Sequence, residues 1–187
     1  MDKVPVALGQ AYRLLNPGAV VLVSVGDGAR DNLFAVTWNM PLDKDPGMIA
    51  LLSGTDHHSW PILERTGEFG VSVPDVSLVD AVFGCGTTSG RTGLDKWARF
   101  GLTRQAPEVT RVPLVAEAVA TLECRVEQIV PREGAGLVIA RIVAAQASPL
   151  HFPGGAWSFE QGLQLIHHLG GDRFAVSTQV VKARTRP

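Results

Sequence analysis

The hydrophobic positions of this chain fall mostly in short runs, either unbroken or alternating with polar residues, as β-strands require. Ala19-Val-Val-Leu-Val-Ser-Val25 is β-branched and lies between two turn clusters, Asn16-Pro17-Gly18 and Gly26-Asp27-Gly28. Phe34-Ala-Val-Thr-Trp38 follows, which predicts a hairpin turning between Gly26 and Asn32. Met48-Ile-Ala-Leu-Leu52 is a compact apolar run of the kind a buried strand shows. Phe69-Gly-Val-Ser-Val73 ends at Pro74, which cannot donate to a ladder. The longest β segment runs from Ala118 to Val130, with Leu122, Cys124, Val126 and Ile129 roughly alternating with Glu123, Arg125 and Glu127. A glycine-containing turn over Arg132 to Gly136 leads into a second long run, Leu137 to Ala147, so the two predict a hairpin.

Helical signals are few and short. Ser59 to Thr66 has a serine at the expected N-cap, Pro61 near the first turn and Gly67 just past the end. Ser77 to Phe83 and Gly93 to Phe100 read similarly, the latter stopped by Gly101. Strands dominate and helices serve as connectors, which predicts a closed or nearly closed antiparallel barrel, since closure removes exposed edges. Strand and helix do not alternate regularly, which argues against a doubly wound sheet.

Composition narrows the function classes. The 187 residues are 45% hydrophobic, enough for the core of one domain. A net charge of −1 leaves no electrostatic footprint for nucleic acid or an anionic membrane. The longest apolar run, Ala19 to Val25, is too short to span a bilayer, and no long apolar stretch follows the N-terminus as a signal peptide would require. Cys85 and Cys124 are the only cysteines, and they fit reduced thiols in the cytoplasm better than a disulfide framework.

Familiar catalytic motifs are missing. Gly84-Cys-Gly86-Thr-Thr-Ser-Gly90 misses the dinucleotide fingerprint by one residue and follows a helix-like run instead of a strand. The five histidines occur as His57-His58, His151 and His167-His168. Adjacent residues point to different sides of a helix or strand, so neither pair makes a metal site, and none is expected. Cys124 reads as core. What remains is polar and aromatic residues at strand ends and loops. Asn32 begins a strand that carries Thr37, Trp38 and Asn39; Ser53-Gly-Thr55 leads to His57, His58 and Ser59; Thr87-Thr-Ser89-Gly-Arg91 form a loop ahead of Lys96. Together they predict a ligand rich in acceptors with a planar ring, its phosphate near the Ser59 helix start.

Four stretches, in order, carry a family resemblance. They are Asn32-Leu-Phe-Ala-Val-Thr-Trp38 with Asp45-Pro46; Ser53 through Ser59-Trp-Pro-Ile-Leu with Gly67-Glu-Phe-Gly-Val-Ser-Val-Pro74; Gly84-Cys-Gly86, Ser89-Gly-Arg91 and Asp95-Lys96-Trp97 with Gly101-Leu-Thr103; and Pro113-Leu, Glu117-Ala and Leu122-Glu-Cys124 with His168-Leu-Gly-Gly171. Over roughly residues 16 to 175 the chain resembles the flavin-reductase-like, FMN-binding split-barrel family that includes the flavoredoxins.

The resemblance implies a mainly β fold with short helical connectors: a single Greek-key antiparallel split barrel holding FMN. It implies that Asn32, Thr37, Trp38 and Asn39 approach the ring and ribityl groups, that His57 and Ser59 serve the phosphate, and that Ser53 and Thr55 are further cofactor-binding candidates. His57 stands where the family commonly has Arg. Ser89, Arg91, Lys96 and His168 complete the implied flavin contacts, with Lys96 as the positive group for reduced flavin. The implied activity is NAD(P)H:flavin oxidoreductase, with the hydride passing from NADH or NADPH to flavin and electrons going on to an acceptor or a partner oxygenase. Alternatives are a flavoredoxin-like electron carrier and a non-catalytic flavin- or haem-binding barrel. A homodimer is expected.

Overall fold

A computed structural model describes residues 5–15, 18–28 and 30–184. Asn16 and Pro17 of the first predicted turn, and the N-terminal residues 1–4, lie outside the described residues. The chain forms strands β1 (Val21–Gly26), β2 (Asp31–Val36), β3 (Asn39–Lys44) and β4 (Gly47–Gly54), then helix α1 (Trp60–Thr66) and β5 (Glu68–Val73). Helices α2 (Val79–Thr87) and α3 (Lys96–Arg99) follow, then the short strands β6 (Arg104–Gln105) and β7 (Leu114–Val115). The long strands β8 (Ala120–Arg132) and β9 (Ala135–Ala147) come next, and the hairpin β10 (Leu165–Gly170) and β11 (Arg173–Ser177) ends the order.

Seven strands make one antiparallel sheet in the order β2-β1-β5-β8-β9-β4-β3. The pairings of β1 with β5 and β4 with β9 skip sequence neighbours, which gives the Greek-key topology. The chain leaves one edge strand at Val36 and enters the other at Asn39, so the two edges of the sheet meet at Thr37 and Trp38. There the Leu52 N–H donates to the Trp38 carbonyl at 3.0 Å. The Asn39 amide pins the junction, donating to the Ala19 and Val36 carbonyls at 3.0 and 3.2 Å. Curling the sheet this way leaves few open edges.

The apolar run of β1, interrupted only by the buried Ser24, has a simple cause: both its faces are buried. Val21, Val23 and Val25 point into the barrel with Leu51, Phe69, Val71, Cys124 and Val138. Val20 and Leu22 point outward under a second core with Leu78, Val82, Cys85, Trp97 and Ile166. That outer core seats α2 and the β10–β11 hairpin against β1 and β2.

Several expectations are corrected. The strand beginning near Asn32 stops at Val36, so Thr37 and Trp38 form a bend and Asn39 starts a new strand. The helix expected at Ser77 to Phe83 opens with a 3-10 turn at Val76–Leu78 and continues as α2 to Thr87, longer than expected, absorbing Gly84, Cys85 and Gly86 into its last turns. A Cβ on Gly84 would overlap the Phe100 ring, so the glycine permits close packing despite its poor helix propensity. Glu123, expected on a solvent-facing row, is buried. Register shifts at Glu123/Cys124 and Val126/Gln128 break the strict alternation of β8. Its carboxylate accepts the Glu108, Val109 and Thr110 N–H groups and the Thr110 hydroxyl at 2.6–2.9 Å, tying down the loop after β6. The β8–β9 turn narrows to Glu133 and Gly134, the glycine at φ +68°. Among the described residues no helix is long and apolar enough to cross a membrane.

Candidate functional site

A trough runs along the outer surface of β2. Its floor is the Phe34, Ala35, Val36 and Thr37 backbone, because the bend at Trp38 turns the chain away before β3 can cover it. One wall is the segment after β4, Asp56 to Ser59. The facing wall is the end of α2 and the following residues, Cys85 to Arg91. Three hollows of about 250, 130 and 430 Å3 share Ala35 and join along this floor. The first lies between Asn32, Ser59, Thr87 to Arg91 and Lys96; the second reaches Trp38 and Ser53; the third reaches His168, Gly171 and Phe174. Hollows of this size suit a nucleotide-sized ligand, whose sites take roughly 300–1,000 Å3.

The polar residues at the Ser59 end hold each other. Asn32 is 7% exposed and donates to the Ser59 Oγ at 2.7 Å. Ser59 therefore sits at the N-cap of α1 without capping it through its side chain, contrary to the expected cap chemistry. Gly90 is needed beside them, since a Cβ there would lie 2.5 Å from His58 Cδ2 and 2.7 Å from Asn32 Oδ1. Across the trough the Arg91 guanidinium reaches back to the Asp56 carbonyl, linking the two walls. His57 is largely exposed on the first wall, 3.9 Å from Asp56.

Lys96 is 3% exposed at the base of this hollow. Its Nζ donates to the Leu33 carbonyl of β2 at 2.7 Å and to the Cys85 carbonyl of α2 at 2.9 Å, stapling floor to wall. Burial lowers its pKa. Burial also pushes the Cys85 thiol up to about 11, with the neighbouring Lys96 charge offsetting part of the rise. A thiol so raised is no nucleophile near neutrality.

Ser53 stands apart. It is 4% exposed near the C-terminal end of strand β4, lines the middle hollow, and its Oγ has no hydrogen-bond partner. A buried hydroxyl left unpaired costs free energy, and an acceptor- or donor-bearing ligand edge laid on the trough would relieve it. This is the observation of the fold that fits a flavin ring, whose edge carries both kinds of group.

The trough thus collects Asn32, Thr37, Trp38, Ser53, His57, Ser59, Ser89, Arg91, Lys96 and His168. Trp38 is half exposed, its ring 5.9 Å from Tyr12 in an edge-on contact. The His168 Nε2 lies 2.9 Å from the Gly171 carbonyl, and its ring packs on Phe174. Two candidates lie elsewhere. Asn39 is engaged in pinning the barrel junction, and Thr55 is exposed with its N–H on the Gly134 carbonyl, tying it to the β8–β9 turn. Residue-type reasoning missed Phe34, Ala35 and Gly86, which supply only a floor and room. Their one signal is smallness: Ala35 and Gly86 face each other closely enough that a Cβ on Gly86 would lie 3.3 Å from the Ala35 Cβ.

Comparison with known proteins gives concordant matches. Residues 13–158 match the family model described as "Flavin reductase like domain". An uncharacterized protein from Escherichia coli K12, YddH, is 32% identical over 187 residues, covering 96% of this chain and 97% of that protein. Among solved structures, an FMN-binding domain of flavin reductases-like enzyme from Shewanella baltica superposes with a TM-score of 0.80 at 26% identity, covering 96% of each chain. The flavoredoxin of Desulfovibrio vulgaris shares the fold with a TM-score of 0.83 at 21% identity, covering 98% of this chain and 97% of that one.

Proposed function

The chain belongs to the flavin reductase-like domain family, and from that premise we propose that it is an FMN-dependent oxidoreductase that draws hydride from NADH or NADPH. The observation that carries the proposal is the open trough on β2 with the unpartnered Ser53 hydroxyl buried on its floor side. FMN supplies the chemistry, accepting two electrons as a hydride and releasing them singly or in pairs.

The protein's part is binding and orientation. The residues that would hold the ring are those of the Phe34-to-Trp38 floor, with Ser53 and Thr37 available to its polar edge. Ser59, Ser89 and Arg91 would hold the phosphate end. The Asn32–Ser59 bond at 2.7 Å keeps both side chains in place before the ligand arrives, which lowers the ordering cost of binding. Arg91 supplies a permanent cation on the wall facing His57, whose imidazole is a weaker phosphate partner than the guanidinium common in the family. Lys96 contributes by fixing the spacing of β2 and α2, and its buried charge would favour a bound ligand that is anionic.

Trp38 lines the trough, Tyr12 contacts its ring, and the exposed Met40 and Leu42 follow on β3; we assign these apolar side chains to contact with a second copy of the chain. The buried free thiols of Cys85 and Cys124 fit a cytoplasmic setting. Electrons then pass to an acceptor or a partner oxygenase. The test is the visible spectrum of FMN-loaded protein during anaerobic addition of NADH or NADPH. Bleaching of the flavin bands with stoichiometric loss of the reduced-nicotinamide absorbance is the expected result. Flavin bands that persist with either donor would overturn the oxidoreductase assignment and leave an electron carrier.

A further inference from the structure

Trp38 lines the middle hollow of the trough, yet its indole is half exposed and is met from outside the sheet. Residues Leu8–Leu14 form a 3-10 helix ahead of β1, with no side-chain cap at its start. Helices of this kind seldom run past three or four residues, because their hydrogen bonds are poorly aligned. The backbone bonds at its two ends are local, from the Gln10 N–H to the Ala7 carbonyl at 2.8 Å and from the Leu15 N–H to the Tyr12 carbonyl at 3.1 Å. Side chains tie it to the barrel. The Tyr12 ring meets the Trp38 ring edge-on at 5.9 Å, with 77° between the planes. The Arg13 guanidinium lies over the Tyr12 ring at 5.7 Å and abuts Gly170 in the β10–β11 turn. A Cβ on Gly170 would stand 3.2 Å from Arg13 Nη1, at a φ of +115° that already favours glycine. Among the described residues Arg13 forms no ion pair with a carboxylate, so its charge serves the ring.

The row Gly170, Arg13, Tyr12, Trp38 thus spans from the β10–β11 turn to the bend after β2. Its two ends adjoin the third and middle hollows, which Gly171 and Trp38 line. The Trp38 backbone is fixed, since its carbonyl accepts the Leu52 N–H at 3.0 Å. Its half-exposed indole turns about two side-chain bonds unless a neighbour holds it. Ordering such a side chain when a ligand binds costs free energy, and a ring held in advance avoids that cost. The edge-on contact sets the electron-poor edge of one ring against the face of the other, so it needs the aromatic ring of Tyr12 and not the hydroxyl. We propose that Tyr12 is a positioning residue: it holds the Trp38 indole as a wall of the middle hollow, and so sets flavin affinity without touching flavin. The inference rests on the trough being the flavin site, and adds a determinant from outside the barrel.

The experiment measures dissociation constants of FMN and of riboflavin, which lacks the phosphate, by flavin fluorescence in the full chain. The variants are Tyr12→Phe, Tyr12→Ala, Trp38→Ala and the double Tyr12→Ala/Trp38→Ala, with the oligomeric state of each read by gel filtration. Tyr12→Phe binds both flavins as wild type does. Tyr12→Ala weakens both by the same factor, about 2- to 12-fold, the worth of one aromatic pair. The factor is shared because Trp38 lines the hollow assigned to the ring, while Ser59, Ser89 and Arg91 line another. Trp38→Ala also weakens both, and adding Tyr12→Ala to it changes nothing further. The proposal is overturned if Tyr12→Ala binds like wild type, if Tyr12→Phe is as weak as Tyr12→Ala, or if the losses add in the double variant. A loss confined to FMN overturns it too, as does a loss that comes with a changed oligomeric state, which would put the effect of Tyr12 at the contact with a second copy. Failure of wild type to bind FMN is a separate result, and brings down the trough assignment instead.

Discussion

Replacing Ser53 with alanine changes stability and flavin affinity in opposite directions. In the free protein the Ser53 Oγ is buried without a hydrogen-bond partner. A buried hydroxyl in that state costs about 1–3 kcal/mol relative to one that is satisfied. Alanine removes the penalty and leaves a void of one oxygen, so the free protein gains on the order of 1 kcal/mol. For a chain of this size that raises the melting temperature by roughly 2–4 °C. The flavin complex loses one hydrogen bond, about 0.5–1.5 kcal/mol, which weakens FMN binding about 2- to 12-fold. Differential scanning fluorimetry without flavin and a fluorescence titration with FMN measure the two effects on one preparation. A free variant that melts below wild type, or one that binds FMN as tightly as wild type, would refute the assignment of this hydroxyl to the ligand.

Other predictions follow from buried polar groups. Lys96→Met strips the donor from the Leu33 and Cys85 carbonyls; relief of a buried charge offsets part of the loss, leaving a net destabilisation of about 2 kcal/mol, read as a melting temperature lower by roughly 4–8 °C, together with weaker FMN binding. A melting temperature equal to wild type would show that the staple holds nothing. Burial raises the pKa of the Glu123 carboxyl, but the Thr110, Glu108 and Val109 N–H groups and the Thr110 hydroxyl outweigh it, so its folded pKa lies below the usual carboxylate value. Its contribution to stability is therefore complete above about pH 4.5 and lost as pH falls through the folded value. Glu123→Gln lowers stability at neutral pH by about 2–4 kcal/mol and flattens the acid limb of a denaturation series; an unchanged acid limb would contradict this. Burial pushes Cys124 up to about 12, with Glu123 adding to the rise, and Cys85 up to about 11. Both thiols should resist an aromatic disulfide reagent at pH 8 in the native protein and react in guanidinium, and rapid native labelling of either would contradict their burial.

Much of the barrel can be read from the chain because its strands carry strong packing signals. The β1 run is apolar on both faces, Ser24 apart, since one face fills the barrel and the other meets α2. Strand β3, Asn39-Met-Pro-Leu-Asp-Lys44, gives no such signal. It is largely exposed and includes Pro41, and pairing with β4 alone makes it a strand. The end of α2 reads as a loop because two glycines in three residues oppose a helix by about 1 kcal/mol each. Contact with Phe100 and Ala35 overrides that local preference. The β10–β11 hairpin joins two short runs of mixed polarity, which carry no strong strand pattern, through the turn after Gly170.

The site is legible in residue type but not in partnership. Asn32 and Ser59 stand 27 residues apart, and nothing local predicts that the amide takes the serine hydroxyl away from the helix cap. Lys96 looks like a ligand-facing cation in the sequence. Only the placement of α3 under β2 shows two of its protons already committed to backbone carbonyls. Asn39 and Thr55 carry suitable groups, yet tertiary contacts draw both away from the trough.

The central claim is that the β2 trough holds FMN, and a titration of purified protein with FMN, followed by the isoalloxazine fluorescence, tests it most directly. The account predicts saturable quenching at one flavin per chain. Fluorescence that stays at the level of free FMN throughout the titration would contradict it.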